Sequence, residues 1–200
     1  MAPVLKIDIE SGLRLEILQA QHINELFQLV VNNRKHLQQW MPWVDSTKSK
    51  ADVSNFVQMT FDQFSKNLGP NRGIFYHDIL CGVAGYKPID PINKIGQVGY
   101  WLSEQYQGLG LMTKSAAMIV KEGFEILALN RIEIYCAVDN VRSQNVAKRL
   151  GFKHEATLRE HERLHNRFVD VTLFSLLKRE YLNQPIEQRH DRTHHLAEHT

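Results

Sequence analysis

The sequence predicts a single α+β domain with a mixed sheet of about seven strands flanked by four helices. Two observations carry that expectation. The spacing of apolar residues switches along the chain between the two-residue period of strands and the 3.6-residue period of helices. The elements that result run strand, two helices, three strands, helix, strand, helix, two strands, which is not the regular alternation of a parallel α/β fold. The chain's 200 residues, of which 43% are hydrophobic, suffice for one core of ordinary size.

The first strand is read at residues 13–18, LRLEIL, where apolar and polar residues alternate. A helix follows over AQHINELFQLVVNN, with Ile23, Leu26, Phe27 and Val30 on one face, and Pro42 ends that region. The second helix, SKADVSNFVQMTFDQFSKN, sets Val53, Phe56, Val57 and Phe64 on its stripe. After the turn NLGPNRG come three strands, IFYHDI, LCGVAGYKPI and KIGQVGYWL, the last two separated by the turn DPIN. The third helix carries Met112, Ala116, Ile119, Val120, Phe124 and Leu127 on one side. The strand RIEIYCAV, the short helix NVRSQNVAKRLGF with Gly151 as its C-cap, and the strands FKHEATLRE and RFVDVTLFSLLKRE complete the order. Residues 1–182 are therefore expected to form the domain. Residues 183–200 are polar, carry four histidines and are expected to be a disordered tail.

Bulk properties narrow the function. A formal net charge of +2 is too small to argue for nucleic acid. Cys81 and Cys136 each sit inside an apolar strand-like run, with no spacing that suggests zinc. They read as reduced core residues. The N-terminus lacks a signal-peptide layout, and no apolar run approaches the ~20 residues of a membrane span. A cytoplasmic protein, not bound to membrane and holding no metal, is expected. A homo-oligomer is admitted, but no segment stands out as its surface.

The segment Gln105–Ser115, QYQGLGLMTKS, lies between a strand and a helix. Gly108 and Gly110 remove Cβ atoms where backbone must approach a ligand. The following helix start supplies unpaired N–H groups and the positive end of a dipole. Such a nest suits a pyrophosphate. The segment nearly matches the triphosphate loop G-x-x-x-x-G-K-[ST], but Thr113 replaces the second glycine. The surrounding element order is also wrong for that fold.

Gln105-Tyr106-Gln107-Gly108-Leu109-Gly110 resembles the [R/Q]-x-x-G-x-[G/A] loop of the GNAT N-acetyltransferases. Taken together, GQVGYWLSEQYQGLGLMTKSA, DNVRSQNVAKRLGF and HLQQWMPWV resemble the RimL/RimJ group of that family, from about residue 13 to 181. The resemblance implies the GNAT fold with a mostly antiparallel sheet. It also implies acetyl-CoA as cosubstrate, and the N-terminal amine of a ribosomal protein as acceptor. By the same resemblance, Gln105, Tyr106, Gln107, Gly108, Leu109, Gly110, Leu111 and Met112 hold the pyrophosphate. Val98, Gly99 and Tyr100 line the pantetheine and thioester, with a free N–H near Tyr100 as oxyanion donor. Asn140 and Asn145 lie near the pantetheine arm, and Ser143 hydrogen-bonds the departing thiolate. Read from the residues alone, Asp139, Asn140 and Ser143 are also simple helix caps.

The group's candidate general base falls at Glu162, in LREHERLHNRFVD between the last two expected strands. Glu160, His161 and His165 are rivals, and His161 has the more suitable unperturbed pKa. Gln97 stands where the group often carries an acid, which moves the base to Glu162 or to water. Trp40 and Trp43 either wall the acceptor site or simply pack. The expected activity is acetyl-CoA-dependent N-acetylation of a protein α-amine. The alternatives are a small-amine acetyltransferase, acting on a polyamine or amino sugar, and an acyl-CoA-binding module without turnover.

Overall fold

Alternating apolar residues put the first strand earlier than expected. The computed structural model describes residues 4–185, and its first strand is Lys6–Glu10 (β1), where Ile7 and Ile9 are buried and the residues between them are not. Leu13–Ile17 follows as β2. The next elements are helices Ile23–Asn32 (α1), Arg34–Leu37 (α2) and Lys50–Ser65 (α3). Strands Asn71–Tyr76 (β3), Ile79–Tyr86 (β4) and Ile95–Leu102 (β5) come next, then helix Leu111–Glu125 (α4), strand Arg131–Ala137 (β6) and helix Val141–Arg149 (α5). Strands Lys153–Leu164 (β7) and Arg167–Leu177 (β8) lead into helix Lys178–Asn183 (α6).

The α+β expectation holds with different counts. Among the described residues there are eight strands rather than seven, β1 being the one not foreseen, and two short helices, α2 and α6, add to the expected four. IFYHDI is not one strand: His77 and Asp78 turn the chain in left-handed conformation between β3 and β4. The last strand stops at Leu177, so the expected boundary at residue 182 falls inside α6. The four tail histidines lie outside the described residues.

All eight strands form one sheet in the order β1-β2-β3-β4-β5-β6-β8-β7. Every pairing is antiparallel except β5 with β6. α4 and α5 cover one face over the main core, which includes Tyr86, Val98, Ile119, Phe124, Ile134 and Phe174. α1 and α3 cover the other, over a smaller core of Leu18, Leu26, Val53, Val57, Phe75, Leu80 and Val83. Helix α4 is fixed to the sheet by the buried Arg72–Glu122 ion pair and by the Tyr86 hydroxyl, which donates to the Ile119 carbonyl at 2.8 Å. These bonds set where the N-terminus of α4 points.

The parallel pair decides the rest. It is registered only from Ile95↔Arg131 to Val98↔Ile134, yet β5 runs on to Leu102 and β6 to Ala137. The next rung of a parallel ladder would join the Tyr100 N–H to the Tyr135 carbonyl, and the pairing stops before it. The sheet therefore opens at its centre.

Candidate active site

Strand alternation places the residues around this opening on two faces. Val98, Tyr100 and Leu102 belong with the α4/α5 core, whereas Trp101 packs with the α1/α3 core. The odd residues of β5 bond to β4, as shown by the Lys87 N–H on the Gln97 carbonyl and the Gly85↔Gly99 register. The Tyr100 N–H consequently faces the gap.

A cavity of about 980 Å³ threads through the opening. On the α4/α5 side it touches Val98, Tyr100, Cys136, Asn140 and Ser143. On the α1/α3 side it widens into a chamber walled by Trp40, Trp43, Trp101, Phe56, Tyr135, His161 and Glu162, with Gln97 and Gly99 on its floor. The Trp43 and Trp101 rings lie 5.9 Å apart at 47°, and His161 stacks on Tyr135 at 5.7 Å.

On the α4/α5 side the glycine loop has the conformation a nest requires. Gly108 (φ 82) and Gly110 (φ 77) are both left-handed, and Gly110 is the residue from which α4 starts. A Cβ at either would meet no atom within 4 Å, so the space before the helix N-terminus is open to a ligand. Thr113 is inside the helix, and Lys114 turns away to pair with Glu10 at 2.6 Å. The triphosphate-loop likeness thus has no lysine to offer. From the loop, Gln107 bonds His36 on α2 at 2.8 Å and accepts from Arg142 on α5, tying the loop to both helices.

Helix α5 begins in the gap. Asn140 is its cap, accepting the Ser143 N–H at 3.1 Å, which leaves the Ser143 hydroxyl free of capping duty. The Tyr100 hydroxyl lies 3.2 Å from both the carbonyl and the hydroxyl of Ser143. Donation from Tyr100 to the carbonyl leaves the serine proton for another acceptor. Burial holds the Tyr100 hydroxyl well above its ordinary pKa, so it stays a protonated donor. Burial also pushes the Cys136 thiol up to about 11, against the opposing pull of Ser143, so it stays a neutral thiol. The helix ends as expected at Gly151 (φ 81), where the Phe152 N–H reaches the Ala147 carbonyl.

Glu162 is not in a turn. It lies within β7, where three residues, Arg159, Glu160 and His161, oppose the single Asp170 between the pairs Leu158↔Val171 and Glu162↔Val169. Glu160 is forced to φ 48, and its N–H bonds the Asp170 carboxylate at 2.8 Å. Such bulges re-aim side chains beside active sites. This one brings His161 and Glu162 to the chamber, while Glu160 is held on the bulge. His165, the third rival, is engaged elsewhere. At the β7–β8 turn its ring nitrogens meet the Asp45 carboxylate at 2.7 Å and the Gln38 carbonyl at 2.6 Å. It clasps the hairpin to the residues that flank the Trp40–Trp43 segment. The Gln38 carbonyl first, and then Asp45, raise its pKa.

The opening brings together Val98, Gly99, Tyr100, Asn140, Ser143, Glu162, Trp40 and Trp43. Asn145 and the loop residues 105–112 do not line it, and Gln105 lies instead in a separate depression with Asn33 and Ser103. Reading the sequence did not find Trp101, Tyr135 or Phe56 as site residues. Aromatic residues in strands and helices give no local sign of which cavity they enter.

The family model for the acetyltransferase (GNAT) domain matches residues 13–153. The chain is 32% identical to the ribosomal-protein-serine acetyltransferase of Escherichia coli K12, over 84% of this chain and 94% of that one. Among solved structures it resembles RimL, a ribosomal L7/L12 α-N-protein acetyltransferase in complex with coenzyme A. That likeness has a TM-score of 0.83 and 30% identity over 86% of this chain and 97% of that one. It also resembles the microcin C7 self-immunity acetyltransferase MccE in complex with acetyl-CoA and AMP. Here the TM-score is 0.79 with 26% identity, over 84% and 93% of the two chains.

Proposed function

The chain belongs to the GNAT acetyltransferase family and is an acetyl-CoA-dependent N-acetyltransferase, and from that premise we propose that its acceptor is the α-amine of a protein N-terminus, with a ribosomal protein as the natural substrate. The observation that carries this reading is the opening through the sheet. A phosphate nest and Ser143 lie on one side of it, and a wide aromatic chamber with a carboxylate lies on the other. A donor and a polypeptide acceptor can meet in the gap from opposite faces. RimL and the serine acetyltransferase named above act on ribosomal proteins, which favours the same acceptor here. The proposal places the enzyme in the cytoplasm, where ribosomal proteins are made.

Acetyl-CoA supplies an activated thioester. The chain's residues do the rest. The loop Gln105–Met112 and the N-terminus of α4 hold the pyrophosphate with backbone N–H groups and the helix dipole. Val98 and Asn140 border the path of the pantetheine arm. The unpaired Tyr100 N–H points at the position where the thioester oxygen gains charge. The Ser143 hydroxyl, oriented by Tyr100, donates to the sulfur as it leaves. Glu162 takes the proton from the attacking amine, and His161 stacked on Tyr135 is its neighbour in that wall. Gln97, on the floor, cannot take a proton.

The weak supply of base favours an α-amine. Its pKa of about 7.7–8.0 leaves roughly a third neutral at pH 7.5, against about one lysine side chain in a thousand. That difference is worth about 3 kcal/mol before any base acts. A short peptide with a free Ser or Ala N-terminus is expected to show higher kcat/KM than the same peptide blocked at its N-terminus and carrying an internal lysine. Preference for the lysine peptide, or turnover of spermidine alone, would refute the assignment.

A further inference from the structure

Glycine inside a strand packs nothing and marks a place where a ligand or another backbone comes close. The neighbouring strand glycines have internal reasons. An added Cβ would come within 2.3 Å of the Trp101 carbonyl at Gly82, 2.4 Å of the Pro70 carbonyl at Gly85 and 2.7 Å of Leu129 at Gly96. Gly99 has no such reason. It is exposed in the middle of the fifth of eight strands, a Cβ there meets nothing within 4 Å, and its φ is not in the left-handed region. Neither the backbone nor the packing of the protein requires glycine at this position.

Its bare side faces the chamber between Gln97 and Trp101, one residue from the gap, and its backbone pairs with Gly85. An attacking nitrogen must come to about 3–3.5 Å from the carbon it attacks. With the oxyanion donor at the Tyr100 N–H, the carbon bonded to that nitrogen must pass over Gly99. We infer that Gly99 sets the size of the acceptor's first residue. The space left by its missing Cβ receives the α-carbon and side chain of the incoming N-terminus, with Trp43 and Trp101 walling the residues behind. This inference rests on the peptide α-amine reading above, and it gives Gly99 to the acceptor rather than to the donor.

Gly99→Ala and Gly99→Val test it. The site is open and the backbone ordinary, so Gly99→Ala should melt at the wild-type temperature or above. Calorimetry should find its acetyl-CoA affinity unchanged. Its KM for a Ser-first peptide should rise about tenfold or more, the range for one methyl-sized misfit in a pocket, and further in Gly99→Val. A Gly-first peptide, lacking the competing Cβ, should lose less, so the Gly-first to Ser-first ratio of kcat/KM should rise. An unmoved KM and ratio in a folded Gly99→Ala enzyme overturns the inference alone. So does a loss of acetyl-CoA affinity or of melting temperature, since either gives Gly99 a donor-side or structural role. Failure of the wild-type enzyme with every peptide overturns the α-amine reading, and this inference with it.

Discussion

The two sides of the opening between β5 and β6 are built from different material. The α4/α5 side is built chiefly on backbone, with two left-handed glycines, a helix N-terminus and a strand N–H without its rung, and adds the hydroxyls of Tyr100 and Ser143. The α1/α3 side is made of side chains drawn from the Trp40–Trp43 segment, α3, β5, β6 and the β7 bulge. A backbone site fits a ligand part common to many enzymes, such as a pyrophosphate. A side-chain site can be re-cut for each acceptor without disturbing the first. Variants on the two sides should therefore have separable effects.

The largest effect is expected at Gly110→Val. A β-branched residue at φ 77 is strained and places methyl groups in the open nest. Acetyl-CoA affinity measured by calorimetry should fall by two orders of magnitude or more, at a strain of about 1–3 kcal/mol plus the lost contacts. ATP should not bind the wild-type loop, because Thr113 stands where the triphosphate loop needs its second glycine. Detectable ATP binding without acetyl-CoA binding would break the comparison.

Next come the two groups assigned to proton handling. Ser143→Ala should lower kcat by about 10²-fold, the low end for positioned proton-transfer groups, with little change in acetyl-CoA affinity. Glu162→Gln should lower kcat similarly and flatten the acidic limb of the pH–rate profile. Wild-type kcat in both variants across pH would remove these roles. A smaller effect is expected at Trp43→Ala. Acceptor KM should rise by about tenfold through loss of an aromatic wall, with acetyl-CoA affinity unmoved.

The smallest effect concerns the clasp between the β7–β8 turn and the Trp40–Trp43 segment. The folded pKa of His165 is raised above 6.5, so the clasp's contribution is full below that value and fades as pH rises through the folded one. The Asp45 carboxylate is lowered, by Gln38 first and then His165, so its share is present above 3.8 and fades as pH falls through the lowered value. Between these limits both partners are charged. The melting-temperature gap between wild type and Asp45→Asn should be wider at pH 6 than at pH 9. A gap that widens with pH would contradict the clasp.

The same contrast explains what could be read from the sequence. The glycine turn before α4 and the cap of α5 were legible because backbone conformation leaves marks at fixed spacing: Gly108 and Gly110 before a helix, and Asn140 three residues before Ser143, whereas the donor roles of these residues came from the resemblance alone. The element order was legible because each core element keeps one period over enough residues. β1 was missed although Ile7 and Ile9 alternate, because five residues near a terminus carry little signal. The β7 bulge left no mark at all. Its left-handed residue is Glu160, not the glycine or asparagine that would announce it, and the unbroken polar run Arg159–Arg163 hides the break in alternation. Glu162 was therefore named by resemblance and placed in a turn that lies three residues further on.

The central claim is that donor and acceptor meet through the sheet from opposite faces. A bisubstrate analogue, with coenzyme A joined through an acetyl bridge to the α-nitrogen of a Ser-first peptide, tests it most directly by calorimetry. The account predicts that wild type binds the analogue more tightly than coenzyme A, that Trp43→Ala loses this advantage while keeping its coenzyme A affinity, and that Gly110→Val loses affinity for both. An analogue no tighter than coenzyme A, or a Trp43→Ala variant that weakens coenzyme A itself, would contradict it.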